Sequence, residues 1–252
     1  MTEITRRERL RAATELEIRE HARQLLVDQG QHAVTLRAIA RELGVTAPAL
    51  YRYYNSREDL LRQVGDDICL RLAAELTTAI ERVDTSDLPG RVLAACRRLR
   101  TWALEHPKEF ELVFASRHTR ADSDPSCTVP DQFGQIFLAL VANIVTTEAP
   151  MPAQERFPPE LEAELIVART AVVESMAGLD IVVPPQMLEL TAVYALLNWW
   201  IRVYGHVALE VFGRFPFAVN NAERLFESML TELVQDMAFL QESTDQQAGS
   251  HD

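Results

Sequence analysis

The sequence predicts an all-α fold: an N-terminal three-helix head containing a helix-turn-helix, followed by a larger helical body. Three observations predict it. Apolar residues recur at a 3.6-residue period over long stretches, and no alternating run reads as a strand. Glycine, the commonest helix breaker after proline, occurs only nine times in 252 residues. Residues 35–61, TLRAIARELGVTAPALYRYYNSREDLL, hold two short apolar-faced segments around a Gly-Val turn. With 48% apolar and 25% charged residues, a chain of this length buries a sizeable core without disulfides or metals.

The elements follow in order. Arg6 to Gln29 reads as a helix, and Gly30 stops it. Leu36, Ile39, Ala40 and Leu43 form one apolar stripe, with Thr35 at its N-cap and Gly44 just past its end. Val45 is expected to plug the angle between the two short helices. A very short helix from Ala47 to Tyr54 has Thr46 as cap and Pro48 in its first turn, where proline is tolerated. Leu50 and Tyr54, four apart, face inward. A long helix runs from Arg57 to Val83, and the turn 85–90 ends it. Another runs from Arg91 to Glu105, after which Pro107 breaks the pattern or starts the next helix. Residues 119–130 read as a polar loop, Phe133 to Val145 as an amphipathic helix, and 149–160 as a proline-rich connection. Helices follow at Leu161–Leu179, Pro185–Phe212 and Asn220–Gln241. The domain boundaries expected are 1–62 for the head and 63–241 for the body, with a polar, disordered tail at 242–252.

Charge is unevenly distributed. The net charge of −12 argues against a polybasic membrane binder or a nonspecific nucleic-acid coat. Residues 1–62, however, hold eleven arginines and nine acids, a net +2, whereas the rest carries −14. A mildly basic head on an acidic body points to nucleic acid at one end. The arginines at 6, 7, 9 and 11 either reach a minor groove or belong to a solvated helix start diluted by Glu3 and Glu8.

Several chemistries are not supported. Cys69, Cys96 and Cys127 are widely spaced and odd in number, so neither a disulfide framework nor a CxxC site is expected. The longest uncharged stretch, 132–147, is too short to span a bilayer, and the N-terminus has no signal-peptide core. A cytoplasmic protein without membrane attachment is expected. Glu105, His106 and Glu109, and likewise His118, Asp122 and Asp124, are read as solvated charge rather than metal sites. No GxGxxG, GKS/GKT loop, GxSxG or HExxH occurs. Neither enzymatic activity, a cofactor nor a metal is expected.

The turn at 44–46 lets the second short helix enter a major groove while the first crosses the backbone. Thr35 and Thr46 offer hydroxyls to phosphates, and Tyr51, Tyr53 and Arg57 can reach backbone oxygens. Arg37 and Arg52 suit bidentate contact with guanine, and Ala47, Pro48 and Ala49 can touch thymine methyls.

Residues 35–61 resemble the DNA-binding signature of the TetR (tetracycline repressor) family. The resemblance rests on Thr35, Ile39-Ala40, Gly44-Val45, Leu50-Tyr51, Tyr54, Arg57 and Asp59-Leu60-Leu61. Tyr53 stands where the family commonly has His, and Arg57 where it commonly has Lys. Trp102 to Pro107, Phe110, Leu112-Val113-Phe114, and Trp200 with Gly205-His206, Leu209-Glu210 and Gly213 resemble one subgroup, named for a Trp-His-Gly pattern. The resemblance implies a helical ligand-binding and dimerisation body. It also implies a ligand-responsive regulator, a repressor that binds an inverted-repeat duplex operator as a homodimer and is released by a small molecule. An alternative is a helical small-molecule-binding protein or enzyme with a vestigial head; another is an interaction module.

The body's residues fit that implication. The helix around Met187 to Phe212 is apolar nearly all round, so it must be covered on more than one side. Leu225, Met229, Leu233, Met237 and Leu240 mark a stripe on the last helix, and two such helices from each of two chains would form a four-helix interface. Trp102, His106, Phe110, Phe114, Phe137, Met176, Trp200 and Tyr204 are candidates to line a pocket for an apolar or aromatic effector. Arg169 could bind a carboxylate, and His106, Asn143 and Asn198 could orient a ligand.

Overall fold

The computed structural model describes residues 5–115, 157–177, 188 and 190–248, without the side chains of 88, 175, 176 and 236–248. All regular structure among the described residues is helical. The chain divides into two compact units, Met1–Leu72 with Trp102–Ser123, and Ala73–Thr101 with Asp124–Asp252.

The first unit is the head. Its longest element, α1 (Arg6–Gln29), begins at a capping box: Thr5 Oγ1 accepts from Glu8 N, and Glu8 Oε2 accepts from Thr5 N. Helix α1 stops at Gly30, whose N–H donates to Leu26 O at 2.9 Å. A 3-10 turn (Gln31–Ala33) then leads to α2 (Leu36–Glu42) and α3 (Ala47–Leu50). Helix α4 (Arg57–Glu81) starts after Ser56, whose Oγ accepts from Asp59 N at 3.0 Å. The core collects Ile18, Ala22, Leu25 and Leu26 of α1 with Leu36, Ile39, Ala40, Leu50, Tyr54, Leu60, Leu61, Val64 and Ile68. Burying side chains of this size contributes about 1.5–3 kcal/mol each.

This unit takes in more chain than residues 1–62. After α5 (Leu88–Glu105), a short helix α6 (Pro107–Phe110) packs on α1 and runs into a π-helical turn (Glu111–Ala115). Phe110 and Leu112 are fully buried. Glu109 is not the solvated charge expected: it is 4% exposed, and Arg23 Nη1 of α1 donates to its Oε1 at 3.0 Å. Arg23 also donates to Glu20, and Arg71 binds the same carboxylate. These arginines hold the Glu20 carboxyl down to about 2.

The second unit contains the rest of α4 and α5, then α7 (Pro159–Ala177), α8 (Leu190–Val211) and α9 (Ala222–Ala248). Helix α5 starts three residues before the expected Arg91. Pro89 falls in its first turn, and Asp87 Oδ1 accepts from Gly90 N at 2.9 Å, so the Pro-Gly pair starts the helix. Helix α7 packs on α8 through Leu165, Leu188, Ala192 and Val193, with Phe157, Val172 and Tyr194 around them. Helix α9 runs past Gln241 to Ala248, since 242–248 contain neither Gly nor Pro and Gly249 is the first stop signal.

A charged cluster joins α5, α8 and α9 within this unit. Arg100 Nε and Nη2 donate to the two Glu210 oxygens at 2.8 and 2.6 Å, and its guanidinium lies 5.6 Å from the Phe226 ring centroid. His206, 8% exposed, packs against Phe226 and Phe215 at ring separations of 5.0 and 5.4 Å. Among the described residues its Nε2 has no hydrogen-bond partner, and it stands 3.6 Å from Glu210 Oε2. Burial lowers the His206 pKa from the ordinary 6.5. The stabilisation from neutral His206 is therefore full above pH 6.5 and is lost as pH falls through the depressed folded-state value. Replacing His206 by Gln is expected to flatten the fall in stability below pH 6.5, measured by urea midpoints across pH.

Candidate nucleic-acid interface

The helix-turn-helix geometry follows from local hydrogen bonding. Thr35 caps α2, its Oγ1 accepting from Ala38 N at 3.1 Å. At the other end Gly44 takes φ +66°, a conformation that costs a non-glycine residue about 1–2 kcal/mol. Gly44 N donates to Arg41 O and Val45 N to Ala40 O, which satisfies two terminal carbonyls of α2 and turns the chain. Val45 is not the plug expected between the helices. It is 44% exposed, because the turn's backbone bonds, rather than a side-chain wedge, set the angle. Leu43 is only half-buried.

Helix α3 is shorter than expected, ending at Leu50, although Tyr53 N and Tyr54 N still donate to Leu50 O. Leu50 and Tyr54 face inward as expected, and both are buried. Tyr54 Oη donates to Glu15 O of α1 at 3.1 Å and accepts from Arg19 Nη1 at 3.4 Å. Arg19 is tied in turn to Asp67 of α4 at 2.5 Å. The inward tyrosine thereby fixes the α3 turn against α1 and α4.

Facing outward are Arg37, Thr46, Pro48, Tyr51 and Arg52, all exposed, with Ala47, Ala49 and Tyr53 half-buried beside them. Thr46 makes no side-chain cap bond, so its hydroxyl is not used within α3. The structure thus brings together on one short segment most of the residues read from sequence as DNA contacts.

Arg57 departs from that reading. Its Nε donates to Val34 O at 2.7 Å and its Nη2 to Gln31 O at 2.6 Å, while Nη1 lies 3.6 Å from Glu58. Two of its guanidinium nitrogens are thus spent inside the head, where they close the connection between α1 and α2. Arg57→Ala is expected to lower head stability by about 1.5–3 kcal/mol, seen in denaturant melts, because two carbonyls lose charge-assisted bonds.

The candidate effector residues fall into both units. In the first, Trp102 stacks on His106 at 5.3 Å and Phe110 on Phe114 at 4.4 Å. Trp102 and Phe110 are core residues there, and His106 Nδ1 lies 3.0 Å from Trp102 O. In the second, Trp200 and Tyr204 stack at 5.6 Å on α8, both half-buried, and burial raises the Tyr204 pKa. Arg169 is half-buried on α7, and Asn198 Nδ2 donates to Tyr194 O. Phe137, Asn143, His118, Asp122, Asp124, Cys127, the 119–130 and 149–156 connections and the helix expected over 133–145 lie outside the described residues, as does the Met176 side chain. Among the described residues, no group of three or more His, Cys, Asp or Glu could hold a metal ion. No described helix is long and apolar enough to cross a membrane.

A capped α2–turn–α3 unit braced by α1 and α4, with an outward row of Arg, Thr and Tyr, defines the class of helix-turn-helix DNA-binding regulators. Residues 18–64 match the description "Bacterial regulatory proteins, tetR family", and residues 92–233 match "Tetracyclin repressor-like, C-terminal domain". The chain belongs to the TetR family: it is a DNA-binding transcriptional regulator of that family. It is 29% identical over 247 residues to the HTH-type transcriptional regulators Rv1816 of Mycobacterium tuberculosis and Mb1846 of Mycobacterium bovis, covering 91% of this chain and 97% of each relative. Among solved structures it is similar to regulatory protein SCO4313, with 27% identity, a TM-score of 0.60, and coverage of 92% of this chain and all of that one. A protein of unknown function from Rhodococcus sp. RHA1 shares the fold at 18% identity, a TM-score of 0.55, and coverage of 90% and 95%.

Proposed function

We propose that this regulator is a repressor that binds an inverted-repeat operator as a homodimer and leaves it when a small apolar or aromatic effector binds the helical body. The observation that carries the DNA part is the outward row on α2, the turn and α3. Thr35, Thr46, Tyr51 and Tyr53 take phosphates, Arg37 and Arg52 read base edges, and Ala47, Pro48 and Ala49 pack on thymine methyls. Arg57 positions this surface instead of touching DNA.

The homodimer is supported by α8. One face of it, Ala192, Val193, Leu196, Trp199, Val203, His206 and Val207, is buried within the chain. Its other side still presents Leu197, Ile201 and Leu209, and Phe212 just past its end is also exposed. Leu225 of α9 is exposed as well, and Met229 is half-buried. A second copy covering these residues would set two heads at a fixed spacing, which an inverted repeat requires. The half-buried Trp200, Tyr204 and Arg169 of the second unit support an effector with an aromatic body and an acidic tip. An effector that favours one head spacing over another shifts the population away from the DNA-competent form.

Sedimentation of the full chain, alone and with its selected operator duplex, tests this reading. A dimer bound to one inverted repeat supports it. A monomer that binds a single half-site contradicts it.

A further inference from the structure

We infer that the first two turns of α1 form a second duplex-binding element, in which Arg7 and Arg11 hold phosphates beside the groove entered by α3. The inference rests on the DNA-binding reading of the head and extends it to a segment outside the helix-turn-helix.

The first buried residue of α1 is Ile18, and residues 5–13 are all exposed. Two helical turns without packing are marginal by themselves. Here they are secured by the Thr5–Glu8 capping box and by Arg11 Nε donating to Glu15 Oε1 at 2.9 Å. Glu8, the one acid among residues 5–13, is used in the cap, Arg11 pairs through Nε with Glu15 one turn on, and the four arginines at 6, 7, 9 and 11 lie on the surface.

Their placement is not random around the helix. Tyr54 Oη bonds to Glu15 O, so α1 crosses the end of α3 at that point. One turn earlier, the Arg11 guanidinium carbon lies 5.9 Å from the centroid of the Tyr53 ring. Arg7 precedes Arg11 by four residues and shares its face. Arg6 and Arg9 fall on the opposite face by the same periodicity. The stripe Arg7–Arg11 thus continues from Tyr53, next to the exposed Tyr51 and Arg52. A polyanion engaged by Tyr53 reaches Arg11 beside it, whose Nη1 and Nη2 are left by the single Nε bond to Glu15. Guanidiniums on a pre-formed helix suit a regular row of phosphates.

The test uses the full chain, a labelled mixed-sequence duplex, and anisotropy titrations from about 50 to about 200 mM salt. Each phosphate contact contributes about 0.9 to the slope of log affinity against log salt. R7A/R11A is expected to lower the slope by about 1.8, so that its deficit relative to wild type shrinks about twelve-fold across this salt range. R7K/R11K, which keeps the point charges, retains the wild-type slope, and so does R6A/R9A on the far face. An unchanged slope in R7A/R11A overturns the inference while leaving the helix-turn-helix reading intact. An equal loss in R6A/R9A reduces it to general charge and overturns the assignment to one face. A wild-type chain that binds no duplex overturns both readings.

Discussion

Replacing Arg23 by Met is expected to destabilise the chain by roughly 3–5 kcal/mol. Glu109 is the reason. Its carboxylate is buried, its bond at 3.0 Å comes from Arg23, and among the described residues its other close nitrogen is His106 Nε2 at 3.9 Å. Removing Arg23 leaves a buried carboxylate without its guanidinium, and the cost of that orphaned charge exceeds the value of the pair itself. Replacing both residues, Arg23→Met with Glu109→Gln, removes the orphan and is expected to recover much of the loss. Urea denaturation of the single and double variants measures this directly. Equal losses in the two would show that packing around Arg23, rather than the ion pair, carries the effect. The pair has functional weight because it ties α6 to α1, the helix against which Tyr54 fixes the end of α3.

The second large effect is on DNA. Arg52→Ala is expected to weaken operator binding by about 1–3 kcal/mol per half-site while leaving stability unchanged, because Arg52 is exposed. The loss should relax the preference at one base pair in each half-site. A change in a proposed phosphate contact such as Tyr51→Phe should instead lower affinity across all sequences. Arg37→Ala is expected to behave like Arg52→Ala at a different base pair. Arg57→Ala provides the contrast: its loss is in folding, so binding falls only in proportion to the unfolded fraction. A gel-shift titration of Arg52→Ala with unchanged affinity at every operator variant would remove Arg52 from the reading surface.

Much of this was legible in the sequence for a physical reason. Helix signals are local, so the apolar period and the stop at Gly30 are enough to read α1 over Arg6–Gln29, while its Thr5–Glu8 capping box is seen only in the structure. The turn at Gly44 and the inward pair Leu50 and Tyr54 also depend only on neighbours a few residues away. What stayed hidden depends on partners distant in the chain. Nothing near Arg57 shows that Val34 and Gln31 take its nitrogens, so a free phosphate donor was the natural reading. Glu109 looked solvated because its partner is 86 residues away. The cluster of Arg100, His206 and Glu210 spans 110 residues between its arginine and its glutamate and leaves no local signature. Val45 shows a different failure: hydrophobicity suggested a plug where backbone hydrogen bonds were sufficient.

The last helix was legible in type but not in orientation. Leu225, Met229 and Leu233 form a periodic stripe, yet Phe226, Leu230 and Leu233 form the face that is buried within the chain. Both rows have helical spacing, and only the position of α8 decides between them. The exposed Leu225 and half-buried Met229 remain with the proposed partner-facing side, while Leu233 belongs to the chain's own core.

The outward row from Arg37 to Arg52 is proposed to read duplex DNA in two symmetric half-sites. Selection of random duplexes on the purified full chain at moderate salt, sequenced after a few rounds, tests it most directly. Enrichment of an inverted repeat whose half-sites are about one helical turn, or a multiple of it, apart is expected, with loss of that enrichment in the Arg37→Ala/Arg52→Ala variant. A folded wild-type chain that enriches no sequence, or a double variant that enriches the same repeat, would contradict it.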